Sequence, residues 1–337
     1  MGKGWEHLRV RVLAVAAVVA SVFVFSACGS PPGSGGGGEG GEGGDELFVT
    51  IATGGQSGVY YPVGGTLSSV YEEELGATTS VESTGASVDN INLLDSGRAE
   101  MALIQADAAS QAYAGEGPFE EPIDSFSAVA SLYPQYVQII TTAGTGIESV
   151  EDLAGQTVSV GAPNSGVELN AQAITDAYGL SYEDFDAQFL SYSETIDGMR
   201  NGNIDAGFFT SGLPNPSVTD LATSEEVRAV PIEGEGLQNL LEGNDYYEEN
   251  VIPADTYDNA EDVPTASFAN LLVVQNELDE QTVYDLTSTM WENIDRIQQT
   301  NSTAEDITLD TAQDSVPIEF HPGAERYYSE QTGEGGG

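Results

Sequence analysis

The 337-residue sequence has very few basic side chains. Its 8 lysines and arginines stand against 55 aspartates and glutamates, which gives a formal net charge of −47. Lysine occurs only at Lys3, and beyond residue 28 the cations are five arginines: Arg98, Arg200, Arg228, Arg296 and Arg326. So negative a chain repels a phosphate backbone, and this excludes nucleic acid as a partner.

Cysteine and histidine are nearly absent as well. Cys28 is the single cysteine, so no internal disulfide can form. His321 is the only histidine after residue 28, and we expect it to serve as structural packing or as a cap. These shortages remove Cys–His and Ser–Lys nucleophiles and histidine-rich metal sites. We predict no enzyme, no catalytic residue, no cofactor and no metal, with a glycosidase-type pair of carboxylates as the enzymatic alternative.

The acidic residues are spread along the chain and are not collected in one tail. A net charge of this size destabilises a folded domain in dilute buffer through self-repulsion. Salt at about 1 M shortens the Debye length to about 3 Å and screens that repulsion. The composition therefore predicts an exported protein of a halophile. The alternative is a calcium-binding surface, but the sequence has no D-x-[DN]-x-[DN]-G loop.

The N-terminus has the features of an export signal. Residues 1–27 combine a basic head with an apolar run that is short for a membrane span, as in a signal peptide. Small residues directly before Cys28 resemble a bacterial lipobox, which predicts lipidation of that cysteine; the alternative is an ordinary signal peptide with a stray thiol. Residues 28–46, rich in glycine, form a flexible tether. We expect a periplasmic or cell-surface protein, anchored by lipid to the outer face of the cytoplasmic membrane.

A strand, a glycine-rich loop and a helix are predicted in succession after the tether. The apolar residues alternate over residues 47–51, as in a strand, and residues 52–65 read ATGGQSGVYYPVGG. Pro62 favours a helix start, so Tyr60 and Tyr61 are placed on the loop. The spacing fits neither a dinucleotide fingerprint nor a P-loop. Such a loop predicts an anion site at a helix N-terminus, or alternatively a plain connection with two packed tyrosines.

Strand-like and helix-like segments alternate along the remaining chain, which predicts an α/β sheet protein. The dipeptide Tyr133-Pro134 is expected to separate two strands, Ser127–Leu132 and Tyr136–Thr141. Ligands of open α/β sheets bind outside the carboxyl ends of the strands. We therefore expect one cleft to be formed by five loops with glycine or small polar residues, at 53–61, 84–90, 105–107, 161–168 and 210–215.

Seven segments then follow a recognisable order: IATGGQSGVYYPVGGTL at 51–67, STGASVDNINLLDSG at 83–97, LIQADAASQAYAG at 103–115, SLYPQYVQII at 131–140, DLAGQTVSVGAPNSGVELNA at 152–171, DAGFFTSGLPNPSVTDLA at 205–222 and HPGAERYY at 321–328. In these segments the chain resembles the TAXI family of solute receptors of TRAP transporters. The resemblance implies an α/β, two-lobe periplasmic-binding-protein-like fold of type II. The ligand cleft then lies between the lobes and closes by hinge motion.

The same resemblance implies a function. The protein is expected to be a monomer that captures a small organic anion or amino acid, such as glutamate or a dicarboxylate like 2-oxoglutarate. It would deliver this solute to the membrane subunits of a TRAP-type secondary transporter. Two alternatives stay open: a lipoprotein that senses a ligand for a membrane kinase, and a surface hydrolase.

The resemblance also implies ligand-binding roles for ten residues: Thr53, Gly55, Tyr60, Ser87, Asn90, Gln105, Ser165, Gly166, Gly212 and Pro214. Three positions depart from the family pattern. Ala86 replaces a second glycine, while Asn164 and Val167 fall within a stretch that usually reads Gly-Ser-Gly-Thr. Because Val167 has no hydroxyl, one expected carboxylate contact is missing. None of the five arginines lies in a matching loop, so we predict a site built from amides and hydroxyls.

The domain boundaries follow from the order of these segments. Lobe I is expected to comprise residues 47–136 and 280–330, and lobe II residues 137–279. The remaining pieces are the signal peptide at 1–27, the lipidated cysteine with its tether at 28–46, and a disordered tail at 331–337.

Overall fold

The computed structural model describes residues 47–244 and 246–332. The predicted signal peptide, the lipidation at Cys28 and the tether lie outside the described residues. Of the predicted tail at 331–337, Gln331 and Thr332 belong to the last helix, and the rest lies outside the described part. Within that part, no helix combines the length and the apolar character needed to cross a bilayer.

Within the described residues, ten strands form one mixed sheet. They are β1 (Phe48–Ala52), β2 (Thr78–Glu82), β3 (Met101–Gln105), β4 (Phe126–Thr142), β5 (Thr157–Ser159), β6 (Asp186–Gln188), β7 (Ala206–Ser211), β8 (Val227–Val230), β9 (Glu248–Ile252) and β10 (Val263–Gln275). The order is β2-β1-β3-β10-β4-β7-β5-β6, with β8 paired to β4 and β9 paired to β10. Strands β1–β3 run parallel to one another, as do β5–β7.

The described residues also form ten α-helices. They are α1 (Tyr60–Leu75), α2 (Ser87–Asp95), α3 (Ala106–Ala114), α4 (Gly166–Ala177), α5 (Tyr192–Arg200), α6 (Pro216–Ala222), α7 (Gly234–Gly243), α8 (Glu280–Glu292), α9 (Ile294–Gln298) and α10 (Pro322–Thr332). Helix α1 begins at Tyr60, so Tyr60 and Tyr61 lie in its first turn. The prediction that both tyrosines lie on the loop is therefore wrong. Pro62 is tolerated in the first turn of α1 because the N–H groups of a first turn have no intrahelical partner.

Strands β4 and β10 are long and connect two halves of the molecule. The first half contains β1–β3, α1–α3 and α8–α10, and the second half contains β5–β9 and α4–α7. Strand β4 pairs with β10 over residues 126–136 and with β7 and β8 over residues 136–142. Strand β10 pairs with β9 at its start and with β3 at its end.

The prediction of two strands around Tyr133-Pro134 is wrong, because β4 is one 17-residue strand with Pro134 in its interior. The pairing of β4 with β10 shifts register between Ala269 and Leu271, next to the pair formed by Ala269 and Pro134. Such a bulge is where a strand accommodates a residue that has no N–H to donate.

Four buried apolar clusters fill the molecule, two in each half. In the first half, alternate strand residues face opposite sides of the sheet: Ile51 and Leu103 join one cluster, Ala52 and Ile104 the other. Both faces are apolar because helices cover both. In the second half, two further clusters lie around Phe208 and around residues such as Phe209 and Val218.

Along β10, the change from one half to the other falls between two neighbouring residues. Phe268 packs in a second-half cluster, and Ala269 packs in a first-half cluster. The predicted lobe II, residues 137–279, includes residues 269–279. In the structure, residues 270–274 pair with β3, in the first half.

Candidate ligand-binding cleft

A cavity of about 100 Å³ lies between the two halves, and both halves form its wall. This volume counts the space open to the centre of a water molecule. One water needs roughly 10–15 Å³ on that measure, so the cavity has room for a small solute. Its wall lies at the carboxyl ends of parallel strands, and all five glycine-rich or polar loops of the sequence contribute to it.

Four of the ten predicted site residues line the cavity: Gly55, Tyr60, Gln105 and Ser165. The Tyr60 hydroxyl accepts a hydrogen bond from Gln135 Nε2 at 3.0 Å, and burial raises the pKa of this phenol. Ser165 is the N-cap of α4, where its hydroxyl accepts from the backbone N–H of Glu168. These residues place the N-termini of α1 and α4 at the cavity.

Three further predicted residues, Thr53, Ser87 and Asn90, are fully buried and do not line the cavity. Asn90 Nδ2 donates to the carbonyls of Thr53 and Leu103, at 2.6 and 2.8 Å. The Thr53 hydroxyl donates to the carbonyl of Glu82, and the Ser87 hydroxyl accepts from the N–H of Gln105. These hydrogen bonds link the ends of β1, β2 and β3, and so they hold in place the loops that form the cavity wall.

The last three predicted residues are glycine or proline, and they also lie off the cavity wall. A Cβ at Gly166 would overlap the side-chain amide of Gln105, and a Cβ at Gly212 would overlap the methyl of Thr303. Both glycines therefore allow a close approach between the halves. Pro214 follows a cis peptide bond with Leu213.

Four residues of the wall, from β4 and the start of α5, were not predicted: Tyr133, Gln135, Ser191 and Tyr192. Thr210 and Ser211 also line the wall, and they fall in the predicted loop 210–215 but are not among the ten predicted residues. The Tyr192 hydroxyl donates to the Thr210 carbonyl at 2.7 Å and accepts from the Thr210 N–H. The sequence carried no signal for Gln135, because β4 has a second buried glutamine, Gln138, that lies off the wall.

Three residues of the cavity wall have a buried polar atom without a hydrogen-bond partner. These atoms are Tyr133 Oη, Gln135 Oε1 and Thr210 Oγ1, and each residue is at most 5% exposed. A buried polar group without a partner costs about 1–3 kcal/mol, so such groups are rare in folded proteins. Three of them around one cavity indicate that the cavity is made for a polar molecule.

No residue of the cavity wall, as the structure describes it, has an ionisable acid or base other than tyrosine. Four arginines of the described part form ion pairs with exposed carboxylates. The pairs are Arg200 with Asp220, Arg228 with Glu226, Arg296 with Glu73, and Arg326 with Glu280. Arg98 bonds to Ser96 at the end of α2. Charged groups of a ligand would therefore meet backbone amides, helix N-termini and hydroxyls.

The three departures from the family pattern have different structural settings. Ala86 lines the cavity with φ of 83°, a backbone conformation that favours glycine. Asn164 has φ of 59°, and asparagine tolerates this left-handed conformation well. Val167 lines the cavity with its apolar side chain.

A second group of buried polar side chains joins the two halves, and we call it the seam: Asp107, Asn170 and Tyr247. Asp107 belongs to α3 in the first half, and Asn170 belongs to α4 in the second. Asn170 Nδ2 donates to Asp107 Oδ2 at 2.6 Å and to the Tyr247 hydroxyl at 2.9 Å. The other oxygen of Asp107 accepts from the N–H of Ala108. The Gln105 amide, oriented so that its nitrogen faces the acceptors around it, donates to the Gly166 carbonyl at 3.1 Å.

Burial raises the pKa of Asp107 to about 7, although the hydrogen bonds from Ala108 and Asn170 act in the opposite direction. The titratable groups around it are Tyr60, Tyr246 and Tyr247, whose own pKa values burial also raises. These phenols stay neutral near pH 7, so Asp107 is the group of the seam that titrates there.

Comparisons with known proteins agree with this architecture. The sequence pattern of the NMT1-like family matches residues 51–332. A solved structure from Bordetella bronchiseptica RB50 is similar over 86% of this chain and 98% of its own, with a TM-score of 0.54 and 15% identity. PhnD1 from Prochlorococcus marinus MIT 9301, in complex with methylphosphonate, is similar over 85% of this chain and 98% of its own, with a TM-score of 0.55 and 10% identity. The predicted fold class, α/β and periplasmic-binding-protein-like of type II, is confirmed.

Proposed function

The chain belongs to the NMT1-like family, and we propose that it is an extracytoplasmic solute-binding receptor. In this role it captures a small organic anion or amino acid in the cavity between its two halves. The observation that carries the proposal is the set of three unpartnered polar atoms at that cavity. They are contributed by both halves, so a solute bound there holds the halves together.

The two halves are proposed to be the lobes of the receptor. Residues 47–136 and 280–330 lie mainly in lobe I, and the crossing points are in the middle of β4 and near Phe268 of β10. A hinge at these two long strands would open the cavity to solvent. A hydrogen bond from the Ser217 hydroxyl to the Ser57 carbonyl, at 3.0 Å, joins the two halves and would break on opening.

The ten predicted residues take three roles in this proposal. Gly55, Tyr60, Gln105 and Ser165 contact the solute, because they line the cavity. Thr53, Ser87 and Asn90 hold the loops of the wall in place, while Gly166, Gly212 and Pro214 shape the contact between the halves.

The membrane partner and the cellular context are also part of the proposal. The TAXI-like segments favour delivery of the solute to TRAP permease subunits, with the receptor held at the outer face of the membrane through a lipid on Cys28. The acidic composition favours a halophile. The lipid anchor is tested by fractionating the producing cell. Loss of the Cys28→Ala variant from the membrane fraction would support the anchor, and its retention there would contradict it.

Binding can be tested directly with a panel of solutes. The purified protein is heated in about 1 M salt, which screens its charge, with glutamate, glutamine, leucine, succinate, malate or 2-oxoglutarate added. A ligand present at about 100 times its dissociation constant adds roughly 2.7 kcal/mol of stability. A shift of the melting temperature with one solute supports the receptor. A folded sample that shifts with none contradicts it and favours the sensor or hydrolase alternative.

A further inference from the structure

Gln135 differs from the other buried glutamine of β4 in how its amide is paired. Gln138 uses both ends: its Nε2 donates to Ser211 Oγ at 3.2 Å, and its Oε1 accepts from the Tyr257 hydroxyl at 2.6 Å. Gln135 uses only its Nε2, which donates to Tyr60. Its Oε1 is buried without a partner, and the residue lines the cavity.

The unpaired end of Gln135 sets a chemical requirement on the solute. An amide oxygen has no proton and can only accept a hydrogen bond. Tyr60 accepts from the nitrogen end of the amide, so the oxygen is the end that has no partner in the protein. A fitting solute therefore presents an N–H or O–H group to Gln135. A carbonyl oxygen in that place would face another acceptor and leave both unsatisfied.

The charge of the surroundings sets a second requirement. The wall has no ionised side chain, and apolar groups such as Val59, Ala86 and Val167 lie between its polar atoms. Helices α1, α4 and α5 begin at the wall, and the partial positive charge of their N-termini suits one carboxylate. A second carboxylate would have no cation to meet, and it would approach against a net charge of −47.

We propose that Gln135 makes the cleft selective for a zwitterionic α-amino acid with an uncharged side chain, over the 2-oxo acid of the same skeleton. The ammonium group donates to Gln135 Oε1, and the carboxylate lies at the helix N-termini. The hydroxyls of Tyr133 and Thr210 supply further bonds. This inference rests on the proposed receptor function, and it names the solute class and the residue that selects it.

The test compares matched pairs of solutes by titration calorimetry on the purified protein in about 1 M salt. The pairs are alanine with pyruvate, leucine with 4-methyl-2-oxopentanoate, and glutamate with 2-oxoglutarate. Within the pair that binds most tightly, we expect the amino acid to bind at least about 10-fold more tightly than the oxo acid. We also expect alanine or leucine to bind more tightly than glutamate.

Two variants of Gln135 locate the selectivity. Gln135→Leu removes the acceptor, so the ratio between amino acid and oxo acid should fall to about 1. Gln135→Glu keeps an acceptor of the same shape, so the preference for the amino acid should persist or grow. The matched control is Gln138→Leu, on the same strand but off the cavity wall, which should leave the ratio unchanged in the folded fraction. Circular dichroism checks that each variant is folded. If Gln135→Leu does not fold, Gln135→Glu tests the proposal in its place.

The outcomes separate this inference from the proposed function. Tighter binding of oxo acids than of amino acids, or an unchanged ratio in Gln135→Leu, would overturn the selectivity and leave the receptor intact. Tightest binding of glutamate would overturn the claim of an uncharged side chain. Binding of no solute by folded protein would overturn both proposals together.

Discussion

Two sets of buried polar groups lie between the halves of this molecule, and they differ in how completely they are paired. In the seam, Asp107, Asn170 and Tyr247 bond to one another. At the cavity, Tyr133 and Thr210 leave a hydroxyl without a partner. The seam is therefore complete in the protein alone, whereas the cavity lacks partners that only another molecule can supply.

The comparison shows how the same kinds of side chain serve two purposes. A buried polar network with every bond made specifies one arrangement of the packed parts. A buried polar group without a bond costs stability in the free protein, and this cost disappears when a fitting ligand binds. Changes in the seam should therefore act on stability, and changes at the cavity should act on binding.

The largest expected effect concerns the titration of Asp107 in the seam. Burial raises its pKa to about 7 from the ordinary value of 3.8, so the folded protein holds the proton over a range in which the unfolded chain has lost it. The free energy of unfolding therefore falls as pH rises through that range. Relative to Asp107→Asn, the wild type should lose on the order of 4 kcal/mol between about pH 4 and pH 8.

This prediction is measured by urea denaturation of both proteins at constant high salt. The difference between the two proteins isolates Asp107 from the many other carboxylates. A difference that stays constant across the range, or that moves in the other direction, would mean that Asp107 is not held in a raised-pKa environment.

The next largest effect is expected from Asn170→Ala. This change removes the donor to both Asp107 and Tyr247, and it leaves two buried polar groups without a partner. We expect the free energy of unfolding to fall by about 3 kcal/mol. Asn201→Ala, which removes an exposed asparagine bonded to the Asp197 carbonyl, is the control and should cost less than about 0.5 kcal/mol. Equal losses in the two variants would show that the seam has no special role.

A smaller effect of opposite sign is expected at the cavity wall. Ala86 has φ of 83° and ψ of −140°, which is strained for any residue with a Cβ. Ala86→Gly should therefore raise the free energy of unfolding by about 1 kcal/mol, measured by thermal denaturation. The control, Ala173→Gly in the interior of α4, should lower it by about 0.5–1 kcal/mol. If both changes destabilise equally, the wall holds no strain at Ala86.

The smallest effect on stability is expected from Tyr133→Phe and Thr210→Val at the cavity. Their hydroxyls have no partner in the protein and cost stability there, so their removal should not lower the free energy of unfolding and should raise it by at most about 1 kcal/mol. Both variants should weaken solute binding in the same samples. In contrast, Tyr247→Phe in the seam should cost about 1 kcal/mol, because its hydroxyl is bonded to Asn170. A larger loss of stability in Tyr133→Phe or Thr210→Val than in Tyr247→Phe would contradict the distinction between cavity and seam.

Much of the fold could be predicted from local pattern. Alternating apolar residues predicted the first strand, and the succession of strand-like and helix-like segments predicted the α/β class, because both depend on neighbours in the chain. The main error was at Pro134, where pattern alone predicts a break. The partner strand β10 accommodates the proline through a shift of register, and a single strand carries no record of its partner's register.

The site could be predicted only in part. Gly55, Tyr60, Gln105 and Ser165 lie in the connections from strand to helix or at their ends, where chain order is enough to suggest them. Thr53, next to the end of β1, and Asn90, in the first turn of α2, have similar hydroxyl and amide groups, yet their polar atoms are used within the protein. Whether a hydroxyl or amide is used or free depends on what the folded chain places beside it.

Chain-local properties thus decided the α/β class, the acidic surface and the loops that meet at the cleft. They arise from composition and spacing, and they are present before any long-range contact forms. The pairing of buried polar groups was decided by folding. Gln135 and Gln138 are the same residue on one strand, three positions apart, and only the neighbours that packing brings to each leave one amide oxygen unpaired. Hydrogen bonding acts over about 3 Å, and such distances between residues far apart in the chain exist only in the folded protein.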